Sequence, residues 1–279
     1  MSTMVSKWLR PVVVGLLTLA LCALTASCED LGAGSSSAVV YDTSSSAIDT
    51  FFIGERLYTS NWRTVPFEGT GNRAWTNTGT NFMFEWNTVA GDQIGRIGRN
   101  VDSDAAGSLQ VSNIPVDYRI SATATLSNLH SSGSGWYIWA VYGWTHWVDV
   151  TWPITGDDTN EGWDNEFYIV LDTNLPYLTP PSAGYIAQGI AVIDGVTYNF
   201  YRNNMSWGAD NQTQWMAVAQ TPWPGSAPVS VDVQKFLDHW ATTDPPSIPA
   251  EDYLVDLTLA VEAFEGSRGR LTLSDIVIP

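Results

Sequence analysis

The sequence predicts an all-β domain, a sandwich of two antiparallel sheets with one late helix. Three observations carry that prediction. From Phe51 onward, short apolar runs are broken by Gly, Asn, Asp, Ser and Pro at intervals of roughly 8–12 residues, the spacing of strands in a sandwich or barrel. Within those runs the apolar residues alternate with a period of two. Only Val231 to Trp240 changes period: Val233, Phe236, Leu237 and Trp240 fall on one helical stripe, with Ser230 or Asp232 as the cap. No period of 20–50 residues recurs, which excludes a repeat array.

The elements follow in chain order. Lys7 and Arg10 precede a nearly continuous apolar run from Val12 to Ala26, too short for a comfortable membrane span, which reads as an export signal over residues 1–27. Its end, Leu24-Thr25-Ala26-Ser27-Cys28, resembles a bacterial lipobox, with Thr25 where a bulky aliphatic is usual, so Cys28 is the candidate for lipidation. Residues 28–48, with Ser35-Ser36-Ser37 and Ser44-Ser45-Ser46, read as a flexible tether. Residues 49–279 form the folded domain. Its clear strands are Tyr118 to Leu126, Trp136 to Tyr142, Glu166 to Leu171, Gly189 to Asp194, Thr197 to Tyr201, Gln214 to Ala219, Leu254 to Phe264 and Arg270 to Ile278. The helix is expected to lay its stripe against the outside of a sheet.

Composition excludes several classes of function. The two cysteines, Cys22 and Cys28, lie in or beside the signal, so the domain has no disulfide, thiolate nucleophile or thiolate-held metal. The chain carries a formal charge of −17, and losing Lys7 and Arg10 with the signal makes it more acidic still. That surface repels nucleic acid and anionic membranes, and it suits a neutral polymer. No nucleic-acid partner is expected, membrane contact only through a lipid on Cys28, and a monomer. His130, His146 and His239 have no zinc spacing, and no nucleophile elbow, phosphate loop or dinucleotide fingerprint is present, so neither cofactor nor metal is expected. Asp157, Asp158, Asn160, Glu161 and Asp164 read as an exposed acidic turn rather than a calcium loop.

Two features point to carbohydrate. All but one of the 14 tryptophans lie beyond the signal, more than a sandwich core of this size absorbs, and exposed indoles stack on the apolar faces of sugar rings. Two strand-borne glutamates complete the pattern. In Asp256-Leu257-Thr258-Leu259-Ala260-Val261-Glu262-Ala263-Phe264, the odd positions make a core face and Glu262 points the other way. In Glu166-Phe167-Tyr168-Ile169-Val170-Leu171, Glu166 and Tyr168 project opposite Phe167, Ile169 and Leu171. Paired carboxylates on adjacent strands can provide the ionised and protonated groups of a retaining glycosidase. Glu265 has the opposite parity and is set aside.

These residues resemble glycoside hydrolase family 12, the endoglucanases and xyloglucanases built on a concanavalin-like β-jelly roll. The similarity spans roughly Leu57 to Ile278. It rests on Asn61-Trp62, on Phe84-Glu85-Trp86 with Ile94-Gly95-Arg96, and on Asn165-Glu166-Phe167-Tyr168-Ile169-Val170. Pro181-Ser182-Ala183-Gly184 and Val261-Glu262-Ala263-Phe264-Glu265-Gly266 complete it, the last with alanine where the family has proline. The resemblance implies that Glu166 is the nucleophile and Glu262 the acid/base. It further implies a cleft lined by Asn61, Trp62, Trp86, Tyr142, Trp144, Tyr168 and Trp215, with Trp62 on the glycone side. The substrate would be a β-glucan, xyloglucan or xylan, because the sister family 11 xylanases share the fold and are the alternative. One departure stands out: Tyr142-Gly143-Trp144 occupies the place of the family's aspartate beside the nucleophile, with Asp149 as a candidate replacement. That departure keeps open a non-catalytic, lectin-like binder.

Overall fold

The computed structural model describes residues 39–42, 49–53, 56–60, 73–76, 81–88, 92–100, 109–132, 135–146, 165–175, 185–205, 212–243, 247–264 and 266–279. Two sheets are built from these. The smaller is six-stranded and contains β1 (Val39–Asp42), β4 (Arg73–Thr76), β5 (Phe82–Asn87), β8 (Arg119–Ser131), β14 (Ser226–Asp232) and β16 (Ser267–Val277), in the order β1-β4-β5-β16-β8-β14. The larger is ten-stranded. It contains β2 (Asp49–Ile53), β3 (Arg56–Ser60), β6 (Asp92–Asn100), β7 (Leu109–Gln110), β9 (Tyr137–His146), β10 (Asn165–Thr173), β11 (Ile186–Ile193), β12 (Val196–Met205), β13 (Gln212–Ala219) and β15 (Tyr253–Phe264). Its order is β11-β12-β13-β10-β9-β15-β6-β3-β2, with the short β7 beside one end of β15.

Among the described residues every pairing is antiparallel except one: β10 and β13 run parallel. After β10 the chain goes out to the sheet edge as β11 and returns through two hairpin steps, so β13 arrives beside β10 pointing the same way. β1 pairs with β4 within the stretch expected to be tether, and Val39-Val40-Tyr41 is the apolar run that makes a strand possible there.

The core lies between the sheets. Phe82, Phe84, Trp86, Ile120, Ala124, Leu271 and Leu273 from the small sheet meet Trp139, Val141, Phe167, Ile169, Trp215, Leu257, Leu259 and Val261 from the large one. The helix, α1 (Val233–Ala241), follows directly from edge strand β14. Its Val233, Phe236, Leu237 and Trp240 join the same core, with Trp240 at 5.7 Å from Phe167 and Phe236 edge-on to Tyr198 at 5.0 Å. The stripe was foreseen, but the helix covers the interior side of the large sheet rather than its outside. It also starts two residues later than the pattern suggested, because Val231 and Asp232 complete β14. Asp232 precedes the helix without a side-chain cap bond; it pairs instead with Arg119 and Lys235.

Alternation sends the other half of each strand of the large sheet to its opposite face. There Ile94, Ile138, Ala140, Tyr142, Trp144, Tyr168, Val170, Tyr201, Met216 and Ala260 form a second buried cluster. This face carries the two glutamates.

Candidate active site

Glu166 lies near the start of β10 and Glu262 near the end of β15. They are not on adjacent strands as expected, because β9 runs between them. Side chains close the gap. The Tyr168 hydroxyl lies 3.3 Å from Glu166 Oε1 and 3.2 Å from Glu262 Oε2, so one phenol bridges both carboxylates. One oxygen of each carboxylate thus lies within reach of a single hydroxyl, which is compatible with the roughly 5–5.5 Å separation of a retaining pair.

Glu166 is held from three sides. The Tyr142 hydroxyl, from the register partner of Tyr168 on β9, donates to Oε1 in a short hydrogen bond, and Gln214 Nε2 on parallel β13 donates to Oε2 at 2.8 Å. Gln214 is directly opposite Glu166 in the register, and the Tyr185 hydroxyl fixes its other end by donating to Oε1 at 2.8 Å. The parallel pairing of β10 with β13 therefore supplies a donor to the nucleophile candidate. Burial, then the negative charge of Glu166, raises both Tyr142 and Tyr168 well above the usual phenol range. Burial, followed by Glu262, pushes Tyr185 up to about 12. All three phenols therefore keep their protons at any working pH and remain donors.

Two further features adjoin the pair. At the Glu262 end, Trp136 stacks on Phe264 with ring centres 5.3 Å apart and planes 5° from parallel, both half-buried. At the other end, Trp144 stands edge-on to Tyr142 at 4.4 Å and lies under the Arg96 guanidinium, 5.0 Å from its ring centre. Arg96 Nη1 donates to Asp256 Oδ2 at 2.6 Å, and both side chains are buried. Burial pushes the Asp256 carboxyl up to about 6, although Arg96 pulls it down.

Tyr142, Trp144 and Tyr168 share the face of the two glutamates, as expected. Trp86 and Trp215 do not. Trp86 faces the core from the small sheet, stacked on Phe84 with its Nε1 donating to Ser267 Oγ at 3.1 Å. Trp215 sits on the core face of β13, with its Nε1 donating to Asn165 Oδ1 at 2.8 Å. Each finds a partner for its N–H inside the sandwich, so neither is available to a ligand.

Gly143 also changes meaning. It faces the core, where a Cβ would stand 2.4 Å from the Asp256 carbonyl oxygen and 2.5 Å from the Phe167 ring. A carboxylate at this position could not reach Glu166. The place beside Glu166 on β9 belongs to Tyr142 and Trp144 instead. Asn61, Trp62, Cys28, Asp149, the acidic turn from Asp157 to Asp164 and Glu265 lie outside the described residues.

Gln214, Tyr185, Arg96, Asp256 and Trp136 join the site without having been singled out for it. Two carried a signal: Asp256 has the parity of Glu262, and Gln214 lies on a strand whose opposite face is apolar. Among the described residues, no group of three or more His, Cys, Asp and Glu is placed to hold a metal ion, and no helix is long and apolar enough to cross a membrane.

No protein-family model matches the chain, and no curated protein matches it in sequence. Solved structures do. A family 11 xylanase from Neocallimastix patriciarum superposes with a TM-score of 0.58 at 18% identity, over 86% of this chain and 98% of that one. A native family 12 xyloglucanase from Bacillus licheniformis gives 0.63 at 14%, over 87% and 99%. A metagenome-derived family 12 endoglucanase gives 0.59 at 17%, over 87% and 96%. The chain has their β-jelly-roll fold. At these identities the likeness speaks for the fold alone, and the chemistry must be argued from the side chains.

Proposed function

We propose that this protein is a retaining endo-β-1,4-glycanase that hydrolyses a glucan-type polysaccharide, including xyloglucan, by double displacement. The observation that carries the reading is the Tyr168 hydroxyl shared between Glu166 and Glu262, which fits a retaining separation. Glu166 acts as nucleophile: Tyr142, Tyr168 and Gln214 converge on it and orient its oxygens toward the anomeric carbon. Glu262 protonates the departing oxygen, then takes a proton from the water that opens the glycosyl-enzyme. The half-exposed Trp136–Phe264 stack beside Glu262 supports a sugar platform on the leaving-group side.

A second reading, xylan, is favoured by crowding. The buried Tyr142 and Tyr168 rings stand 4.5 Å apart beside Glu166, and a pyranose without a hydroxymethyl group would need the least room there. The absence of the family's aspartate at position 143 was the argument for a non-catalytic binder, and the core-facing Gly143 weakens it, because a carboxylate there could not reach Glu166. Export and a lipid tether on Cys28 belong to the proposal on sequence grounds.

The test is a reducing-sugar assay of the purified domain on cellulose, mixed-linkage glucan, xyloglucan and xylan. Glu166→Ala should abolish hydrolysis, and azide should restore it with inverted product. Glu262→Ala should spare substrates with activated aryl leaving groups while losing polysaccharide by roughly 10²–10⁴-fold. A parent that binds these polymers and never cleaves them would replace the enzyme reading with the binder.

A further inference from the structure

Asp256 registers with Trp144, and Trp144 registers with Glu166, so these three form one row across β15, β9 and β10. Arg96 reaches into that row from β6. It passes over β15, binds Asp256, and lays its guanidinium over Trp144. Trp144 in turn packs edge-on against Tyr142, whose hydroxyl holds Glu166. A continuous path of contacts therefore joins a buried cation to the nucleophile candidate. Neither Arg96 nor Asp256 takes part in the double displacement described above.

We propose that Arg96, clamped by Asp256, is a positioning residue of this reaction: it fixes Trp144 against Tyr142 and supplies the positive charge that favours the attacking form of Glu166. The proposal rests on the glycosidase reading of the same site. The contact path supports the packing half. The charge half is supported by Tyr142: burial first, then Glu166, drive that phenol up, and Arg96 is the group that pulls it back. A cation on this face is felt at the hydroxyl bonded to the nucleophile.

Asp256 sets how much of that charge is expressed. Its Oδ2 accepts from Arg96 in a buried pair. Among the described residues, the titratable and charged groups sharing this face are Arg96 from β6, Tyr142 and His146 from β9, Glu166 and Tyr168 from β10, Tyr201 from β12, Tyr253 and Glu262 from β15, and Tyr185 ahead of β11. Above about pH 6 Asp256 is ionised and the Arg96 pair is neutral as a unit; below it the carboxyl is protonated and Arg96 stands as a net positive charge.

The test uses the full domain and the polymer it cleaves best. The double variant Arg96→Met/Asp256→Asn removes the cation without stranding a buried carboxylate, and Arg96→Lys keeps the charge. A unit charge about 10 Å away at an effective dielectric constant of about 20 moves a titration by on the order of one pH unit. The acidic limb of the kcat/KM profile of the double variant should therefore move up by roughly half to one unit. The loss should fall on kcat, with KM within about threefold, and Arg96→Lys should return the limb to the parent's position. A double variant that melts like the parent and keeps the parent's acidic limb would show a purely structural pair and overturn the proposal. So would Arg96→Lys behaving like the double variant. A parent inactive on every polymer tested would instead overturn the glycosidase reading, and this proposal with it.

Discussion

Asp256→Asn should make the folded domain more stable at neutral pH, although it removes half of a buried ion pair. Breaking such a pair commonly costs about 3–5 kcal/mol, because a charge is left alone in a poor solvent. Here the protonation equilibrium already reports the balance. Burial holds the Asp256 carboxyl at about 6 against its ordinary 3.8, so Arg96 only partly offsets the cost of ionising it in the fold. The sign follows from linkage: between the unfolded and folded values the native state binds more proton than the unfolded chain, so stability falls as pH rises through that window. Above about pH 6 the loss is complete, and at 1.36 kcal/mol per unit it amounts to about 3 kcal/mol. The asparagine stays neutral at every pH and keeps an oxygen for Arg96 Nη1, so it escapes the loss. For a domain of this size a gain of about 3 kcal/mol raises Tm by roughly 6–12 °C. Melting of parent and variant by circular dichroism at pH 4 and pH 7.5 reads the effect. The variant should melt higher at pH 7.5 and level with the parent at pH 4. A variant that melts lower at pH 7.5, or differs equally at both pH values, would refute the reasoning.

Gly143→Ala should lower stability by at least about 2–3 kcal/mol, because the new methyl meets the Asp256 carbonyl, which is backbone and cannot move aside cheaply; a Tm within 2 °C of the parent would contradict it. Tyr168→Phe removes the bridging hydroxyl and leaves the ring. Steady-state kinetics should show kcat reduced about 10–100-fold with little change in KM, since a hydrogen bond to a charged group contributes about 1.5–3 kcal/mol. An unchanged kcat would remove the bridge from the mechanism.

The two-sheet fold was legible because alternation is written into residues such as Phe167, Ile169, Leu257, Leu259 and Val261, and all of these face the core. The same parity put Glu166, Tyr168 and Glu262 on one face. Indoles were read less well. Trp86 and Trp215 satisfy their N–H groups inside the sandwich, and their parity, opposite to that of their polar strand neighbours Glu85 and Gln214, was the signal that composition obscured. Strand neighbours were not legible at all. Nothing local in Gln214 says that β13 docks parallel to β10, and nothing in Arg96 says that it reaches over β15 to Trp144. Those contacts come from crossovers, which periodicity along the chain does not encode. Gly143 was matched to the family's cleft aspartate for a related reason: a motif aligned one residue out of phase exchanges the two faces of a strand.

The position of β15 has a consequence for how the molecule comes into being. It lies in the middle of the large sheet, between β9 and β6, yet it is synthesised after every other described strand of that sheet. Until it arrives, β9 and β6 have no common neighbour and both present open edges. Folding must therefore wait for contacts that are remote in sequence, which places this chain among the slow folders and leaves its half-built sheet prone to sticking to other chains. The two carboxylates meet only once β15 is in place. A chain cut before residue 253 would carry Glu166 without Glu262, and without the strand that ties the two halves of its own sheet together.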